Sequence, residues 1–407
     1  MSVARRRVQR WRDAPLWASG FRPFYLLGAL YAPLLALGSI SAALGWVDLA
    51  GAGIPLPLWH GHEMVFGFAT AIVIGTVLTA LPSWAGMPEP RGTALMLLAG
   101  LWLLGRCTFW AAPWLPRGVP ALADLLLLPV LMAVLAVPVW RVPQRRYRWL
   151  LVILLALTLA NAAYHVGVVS GFAANGAMAA LALRGAIWTL IVLYAVVGGL
   201  LTQVFTSNAL RAAGEPPPAP PHPALELTAL AALLLLALFE LLPAAPHWTA
   251  AAATACALLQ LARMRRWQGW GGSCVARAPL LAGMHAGFVW LLLAFVLRAL
   301  AAAGLGVPQT AWLHAFTVGA LGLMMLSLMT RVALRHTGRA LTPPRWLMPA
   351  GAALFAAAVL RLAAGVPGWS AVSAPLAALS VLLWAAGFAG FALAYAHALV
   401  SPSLPRR

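Results

Sequence analysis

Runs of about 20 apolar residues, the length that crosses a bilayer as a helix, recur along this chain from end to end. No other feature limits its fold so severely. Twelve runs can be read, at 24–46, 59–81, 93–113, 119–140, 149–171, 178–210, 224–243, 247–263, 279–303, 309–334, 345–363 and 371–398. Soluble domains carry roughly 25% charged residues, whereas 9% of this 407-residue chain is charged and 63% is hydrophobic. Lipid can take that much apolar surface, and a water-facing domain cannot. Inside lipid every backbone N–H and C=O needs an internal partner, which a helix supplies segment by segment. The expected fold class is all-α: a polytopic transmembrane helical bundle of about twelve spans.

The basic residues test the count. All 27 are arginine, and the formal net charge is +19. Arg5, Arg6, Arg7, Arg10 and Arg12 precede the first run. Arg141, Arg145, Arg146 and Arg148 fill the fourth connection, and Arg263, Arg265, Arg266 and Arg277 the eighth. Arg335, Arg339 and Arg345 mark the tenth, and Arg406 and Arg407 end the chain. The odd-numbered connections hold little beyond Asp48 and Arg117. Because cytoplasmic loops collect Arg and Lys, the alternation predicts both termini in the cytoplasm. It also reads the net charge as topology, with no nucleic-acid partner. The proline-rich stretch AAGEPPPAPPHP separates six runs from six. The chain is therefore expected to be a single integral membrane domain. Residues 1–23 form a basic cytoplasmic N-terminus, 24–210 the first six spans, 211–223 a cytoplasmic linker, 224–398 the last six spans, and 399–407 the tail. Cys107, Cys256 and Cys274 make no C-x-x-C pair, so a disulfide framework is not expected. Cys107 and Cys256 read as small buried apolar residues.

With that orientation the histidines sort by depth. His60 and His62 lie at the outer mouth of the second run, His165 near the outer end of the fifth, and His314 at the outer mouth of the tenth. His285 lies ~9 Å in from the other side, at 1.5 Å per residue, and His336 at the inner edge of the tenth run. Glu63 follows His62 directly. An ionisable group in a span costs on the order of 3 kcal/mol unless it is paired or faces water. On a regular helix His60 and Glu63 share a face, while His62 points nearly the opposite way. A ligating histidine with a carboxylate behind it would fit such a segment. Arg106, Arg184 and Arg298 fall in the outer half. Arg298 reads as snorkelling to the interface. Arg106 and Arg184 are suited to pair with Glu63, Asp124 or Glu240, or to hold an anionic ligand such as haem propionates. Taken singly, His165 and His336 read as helix-interface residues, and Met324, Met325 and Met329 as core. Taken together, the outer histidines suggest a haem or copper site.

Several segments carry a resemblance: GFRPFYLLGAL (20–30), WHGHEMVFGFATAIVIGTVLTALPSWAG (59–86), FTSNAL (205–210), MHAGFVW (284–290) and LHAFTVGALGLMMLSLMTRVALRHTGR (313–339). In these the chain resembles the NnrS family. The resemblance implies a twelve-span, multi-pass protein of the bacterial inner membrane containing haem and copper. It also implies links to nitric oxide metabolism, denitrification and resistance to nitrosative stress. The matching positions are His60, His62, Glu63, His285, His314, Thr330, Arg331, His336, Thr337, Gly338 and Arg339. The expected metal ligands are His60, His62, His285 and His314. The wider cofactor-binding set adds Glu63, Arg106, Arg184, Arg331 and His336. GGLLTQVFT (198–206) departs from the family by lacking an Arg and a Pro near Leu200 and Gln203.

The expected partners are the lipid bilayer and nitric oxide as a small-molecule ligand. A secondary transporter of twelve spans is the alternative, with the outer polar residues binding substrate or ion, although such sites ordinarily lie near the midplane. A catalytic subunit of the haem–copper oxidase type is disfavoured. Runs six and seven contain no histidine, and no adjacent His–His pair exists.

Overall fold

The computed structural model describes residues 9, 11–47, 54–116, 118–170, 172–267 and 273–405. Arg5, Arg6, Arg7, Arg10, Asp48, Arg117, Arg406, Arg407 and the side chain of Cys274 lie outside the described residues. Among the described residues there is no strand. The long helices are α1 (Phe21–Ala43), α2 (Leu56–Ala85), α3 (Thr93–Trp110), α4 (Gly118–Arg141), α5 (Trp149–Val169) and α6 (Gly176–Ala212). They continue with α7 (Pro223–Leu241), α8 (Pro246–Arg266), α9 (Pro279–Ala302), α10 (Ala311–His336), α11 (Met348–Ala363) and α12 (Ser370–Val400).

Eleven helices among the described residues are long and apolar enough to cross a membrane, which makes this a multi-pass membrane protein. Each expected run becomes a helix, but α8 is not one of the eleven. It is rich in alanine and ends in Gln260, Arg263, Arg265 and Arg266, which lower its hydropathy below that of the others.

Among the described residues three helices contain a π-turn: Glu63–Ala69 in α2, Tyr194–Gly198 in α6 and Ala315–Leu321 in α10. A π-turn widens the helix by one residue and frees backbone groups that neighbours must satisfy. The indole N–H of Trp102 donates to the Gly67 carbonyl at 2.9 Å, and Arg263 Nη2 to the Ala195 carbonyl at 3.1 Å.

The chain forms two compact units. The first comprises residues 1–189, 332–342 and 391–407; the second comprises 190–331 and 343–390. In the first unit α1 meets α2 through glycines. A Cβ on Gly75 would lie 2.9 Å from the Tyr25 ring, and one on Gly28 would lie 3.1 Å from Ile72. Small residues at such contacts let helix backbones approach. Gly105 does the same for α3 and α4, bringing the Asp124 backbone close. Arg22 fastens the C-terminal segment by donating to the carbonyls of Leu399 and Ser401 at 2.8 and 2.7 Å. In the second unit α9 packs between α8 and the π-turn of α10. A Cβ on Gly319 would fall 2.4 Å from the Trp290 ring.

Two sequence-based expectations change. Cys107 is exposed, on the side of α3 opposite Leu98 and Trp102, whereas Cys256 is buried as expected. Arg298 does not simply snorkel; its guanidinium pairs with the buried carboxylate of Glu240.

Candidate metal centre

The first unit gathers its ionisable side chains into one buried cluster. His62 and Glu63 come from α2, Arg106 from α3, Asp124 from α4, Asn161 and His165 from α5, and Tyr31 from α1. His62 and Glu63 are fully buried, and Arg106, Asp124, Asn161 and His165 are nearly so. Arg106 bridges the two carboxylates, donating through Nη1 to Glu63 Oε1 and through Nη2 to Asp124 Oδ1. Tyr31 donates its hydroxyl to Glu63 Oε2 and accepts from the Trp110 indole at 2.7 Å. Asn161 Nδ2 donates to Asp124 Oδ2 at 2.8 Å. The expected pairing of Arg106 with Glu63 or Asp124 is therefore present with both.

The π-turn accounts for a departure from the sequence reading. The regular-helix count puts Glu63 on the same face as His60. The regular helix ends at His62, and Glu63 opens the π-turn. His62 Nδ1 then lies 3.1 Å from Glu63 Oε1, so the histidine–carboxylate partnership is with His62. His60 Nδ1 instead lies 2.9 Å from Ser39 Oγ.

The other ring nitrogen of His62 faces acceptors. Nε2 lies 3.0 Å from Asn161 Oδ1 and 3.2 Å from Asp124 Oδ2. Asn161 is oriented by its amide donation to Asp124, so its oxygen must face His62. If Nδ1–H donates to Glu63, Nε2 carries a lone pair among oxygens. That arrangement requires a positive species, either a second proton or a metal ion. Formal charge says the same: two carboxylates against one guanidinium leave one negative charge. His165 Nε2 is 2.9 Å from Asp124 Oδ2. His62, Asp124 and His165 each offer one donor atom, all within 4.8 Å of one another.

The donor set suits a single ion. Two imidazoles and a carboxylate take Cu(II), Zn(II) or Fe(II), and Glu63 is placed to fix the His62 tautomer from behind. Haem does not fit here. The His62 ring packs against Phe109 at 4.3 Å and Tyr164 at 4.4 Å. Asn161 and Asp124 crowd its Nε2, leaving no space for a macrocycle.

The remaining expected residues lie elsewhere. Arg184 is exposed on α6, and His336 is exposed with its ring 5.6 Å from Phe21. In the second unit, buried His285 Nε2 is 2.9 Å from Thr206 Oγ1. His314 Nδ1 lies 3.0 Å from its own-helix carbonyl at Thr310, and Arg331 lies over the Phe205 ring at 3.8 Å. Met324, Met325 and Met329 are buried. The sequence reading left His165 and Asp124 outside the ligand set and missed Asn161. The available signal was an i, i+4 pair, Asn161 and His165, on one face of an otherwise apolar helix.

Fold and cluster together define a polytopic helical membrane protein with a buried, charge-linked polar centre in one unit. The model of the NnrS protein family matches residues 15–403, nearly the whole chain. This chain belongs to the NnrS family. No curated protein matches it.

Proposed function

We propose that this chain is a metal-binding protein of the bacterial inner membrane that acts in nitric oxide metabolism or resistance to nitrosative stress. We assign His62, Asp124 and His165 as its metal ligands. The observation that carries this reading is His62 Nε2, set among the oxygens of Asn161 and Asp124 with His165 beside them. Copper in its divalent state is the ion that satisfies both the family resemblance and this nitrogen-and-oxygen set.

Each side chain has a role there. Glu63 holds His62 with Nε2 turned toward the centre. Arg106 and Asn161 fix the two oxygens of Asp124 through charge-assisted hydrogen bonds. Phe109 and Tyr164 pack against the His62 ring and exclude water. An ion held by His62, Asp124 and His165 would supply Lewis-acid and redox chemistry toward a small diatomic ligand such as nitric oxide. The haem implied by the resemblance requires a different place from this cluster.

Metal analysis of the purified protein tests the assignment, with optical spectra of the reduced sample before and after nitric oxide. The expected result is metal near one per chain, lost in His62→Ala, Asp124→Asn and His165→Ala. Glu63→Gln should weaken binding by about 10–100-fold. Retention in those variants, with loss in His60→Ala, His285→Ala or His314→Ala, would move the site. A folded, metal-free protein would favour the second reading, a transporter using the same buried carboxylates and histidines for ion or proton binding.

A further inference from the structure

A groove in the second unit has apolar walls and an ionic end. It encloses about 340 Å³ and is lined by Pro223, Glu226, Leu227, Leu230 and Leu233 of α7, Val196 of α6 and Arg263 of α8. The α7 residues recur every three or four positions, so they form one stripe of that helix. From Pro223 to Leu233 the stripe runs about 15 Å along the axis. Leu227 is 68% exposed and Val196 45%, so in a membrane the groove opens to lipid chains.

The ionic end sits where α7 begins and α8 ends. Glu226 lies in the first turn of α7, and Arg263, Arg265 and Arg266 lie in the last turn of α8. Arg263 is buried. Its Nη2 and Nε are 2.7 and 2.9 Å from Glu226 Oε2, and Nη1 is 2.9 Å from Gln260 Oε1. With its contact to the Ala195 carbonyl, the guanidinium has little donor capacity left. Glu226 differs: it is about one-third exposed, and both Arg263 contacts go to Oε2. Oε1 keeps its capacity to accept.

We propose that this groove binds a phospholipid bearing a primary ammonium headgroup. Glu226 accepts the ammonium, the cationic last turn of α8 lies alongside the phosphate, and one acyl chain lies along Leu227, Leu230 and Leu233. The combination of one available carboxylate and an arginine-rich helix end matches a zwitterionic headgroup. A purely anionic headgroup carries no ammonium for Glu226 Oε1. A choline headgroup has no N–H to donate.

The test is native mass spectrometry of the full-length protein, stripped of lipid in detergent and titrated with phosphatidylethanolamine, phosphatidylglycerol or phosphatidylcholine. Phosphatidylethanolamine should bind about tenfold more tightly than either of the others, a difference of about 1.4 kcal/mol. Glu226→Gln should erase that preference while lipid still binds. Leu230→Trp should fill the groove and lower retention of all three, and Leu227→Trp on the exposed lip serves if the first variant aggregates. Equal binding of phosphatidylethanolamine and phosphatidylglycerol by the unaltered protein would overturn the proposal. So would binding that the tryptophan variants leave unchanged.

Discussion

Arg106 holds the largest electrostatic responsibility of any single side chain here. It neutralises one of the two carboxylates in the His62 cluster and hydrogen-bonds to both. Removing one partner of a buried ionic set strands the others, which costs about 3–5 kcal/mol. Arg106→Gln should therefore lower the unfolding midpoint sharply in detergent. In a Glu63→Gln, Asp124→Asn background the same change should cost much less, because the charges it strands are gone. Equal losses in the two backgrounds would mean that Arg106 acts only by packing. The sequence marked Arg106 as needing a carboxylate, since lipid will not tolerate an ionisable residue alone, but it left Glu63, Asp124 and Glu240 open as partners. Asn161 was harder to see, because an amide carries no charge and only its i, i+4 spacing to His165 marks it.

At the level of the element, the π-turn decides what α2 can do. It starts at Glu63, turns that carboxylate toward His62, and leaves the Gly67 carbonyl for the Trp102 indole. Trp102→Phe keeps the ring and removes only the donor. An unsatisfied buried carbonyl costs about 1–3 kcal/mol, so thermal unfolding of this variant should shift down by a matching amount. The π-turn of α10 also begins directly after a histidine, His314, and has its glycine five residues later. Its Gly319 faces Trp290 so closely that Gly319→Ala forces the indole to move. Overpacking of this kind costs about 1–3 kcal/mol, and the same unfolding assay should register it. An unshifted midpoint would show that the Trp290 ring can yield freely. The recurrence of His and Gly at this spacing was visible in the sequence. Its meaning was not, because hydropathy does not distinguish a π-turn from an α-turn.

Across the whole molecule, α8 decides where the ends lie. Twelve crossings put both termini on one side, and eleven put them on opposite sides. The arginine alternation supports twelve, while α8 lacks the hydropathy of the other spans. Its buried side faces α7 and α9 within the second unit, with Thr249, Cys256 and Gln260 buried. Protein contacts, more than lipid, surround a helix of that kind. Reporter fusions at each terminus and after residue 266 should place all three in the cytoplasm. Periplasmic signals from both the C-terminal fusion and the fusion after residue 266, with the N-terminus cytoplasmic, would show that α8 does not cross.

What the sequence determined unaided follows from local composition. The number and positions of the helices, their membrane setting and the presence of an ionisable group at the start of α2 are one-dimensional properties. A bilayer reads them segment by segment. What only the tertiary structure decided is partnership. His62 meets Asn161 across 99 positions, and His165 meets Asp124 across 41. Those meetings depend on how each helix is rotated about its axis, on the extra residue in a π-turn, and on glycines such as Gly105 that let α3 and α4 approach. A uniformly apolar helix carries almost no signal for its own rotation, so its sequence leaves open which face turns inward. Packing resolves that choice, and with it which histidines share a centre.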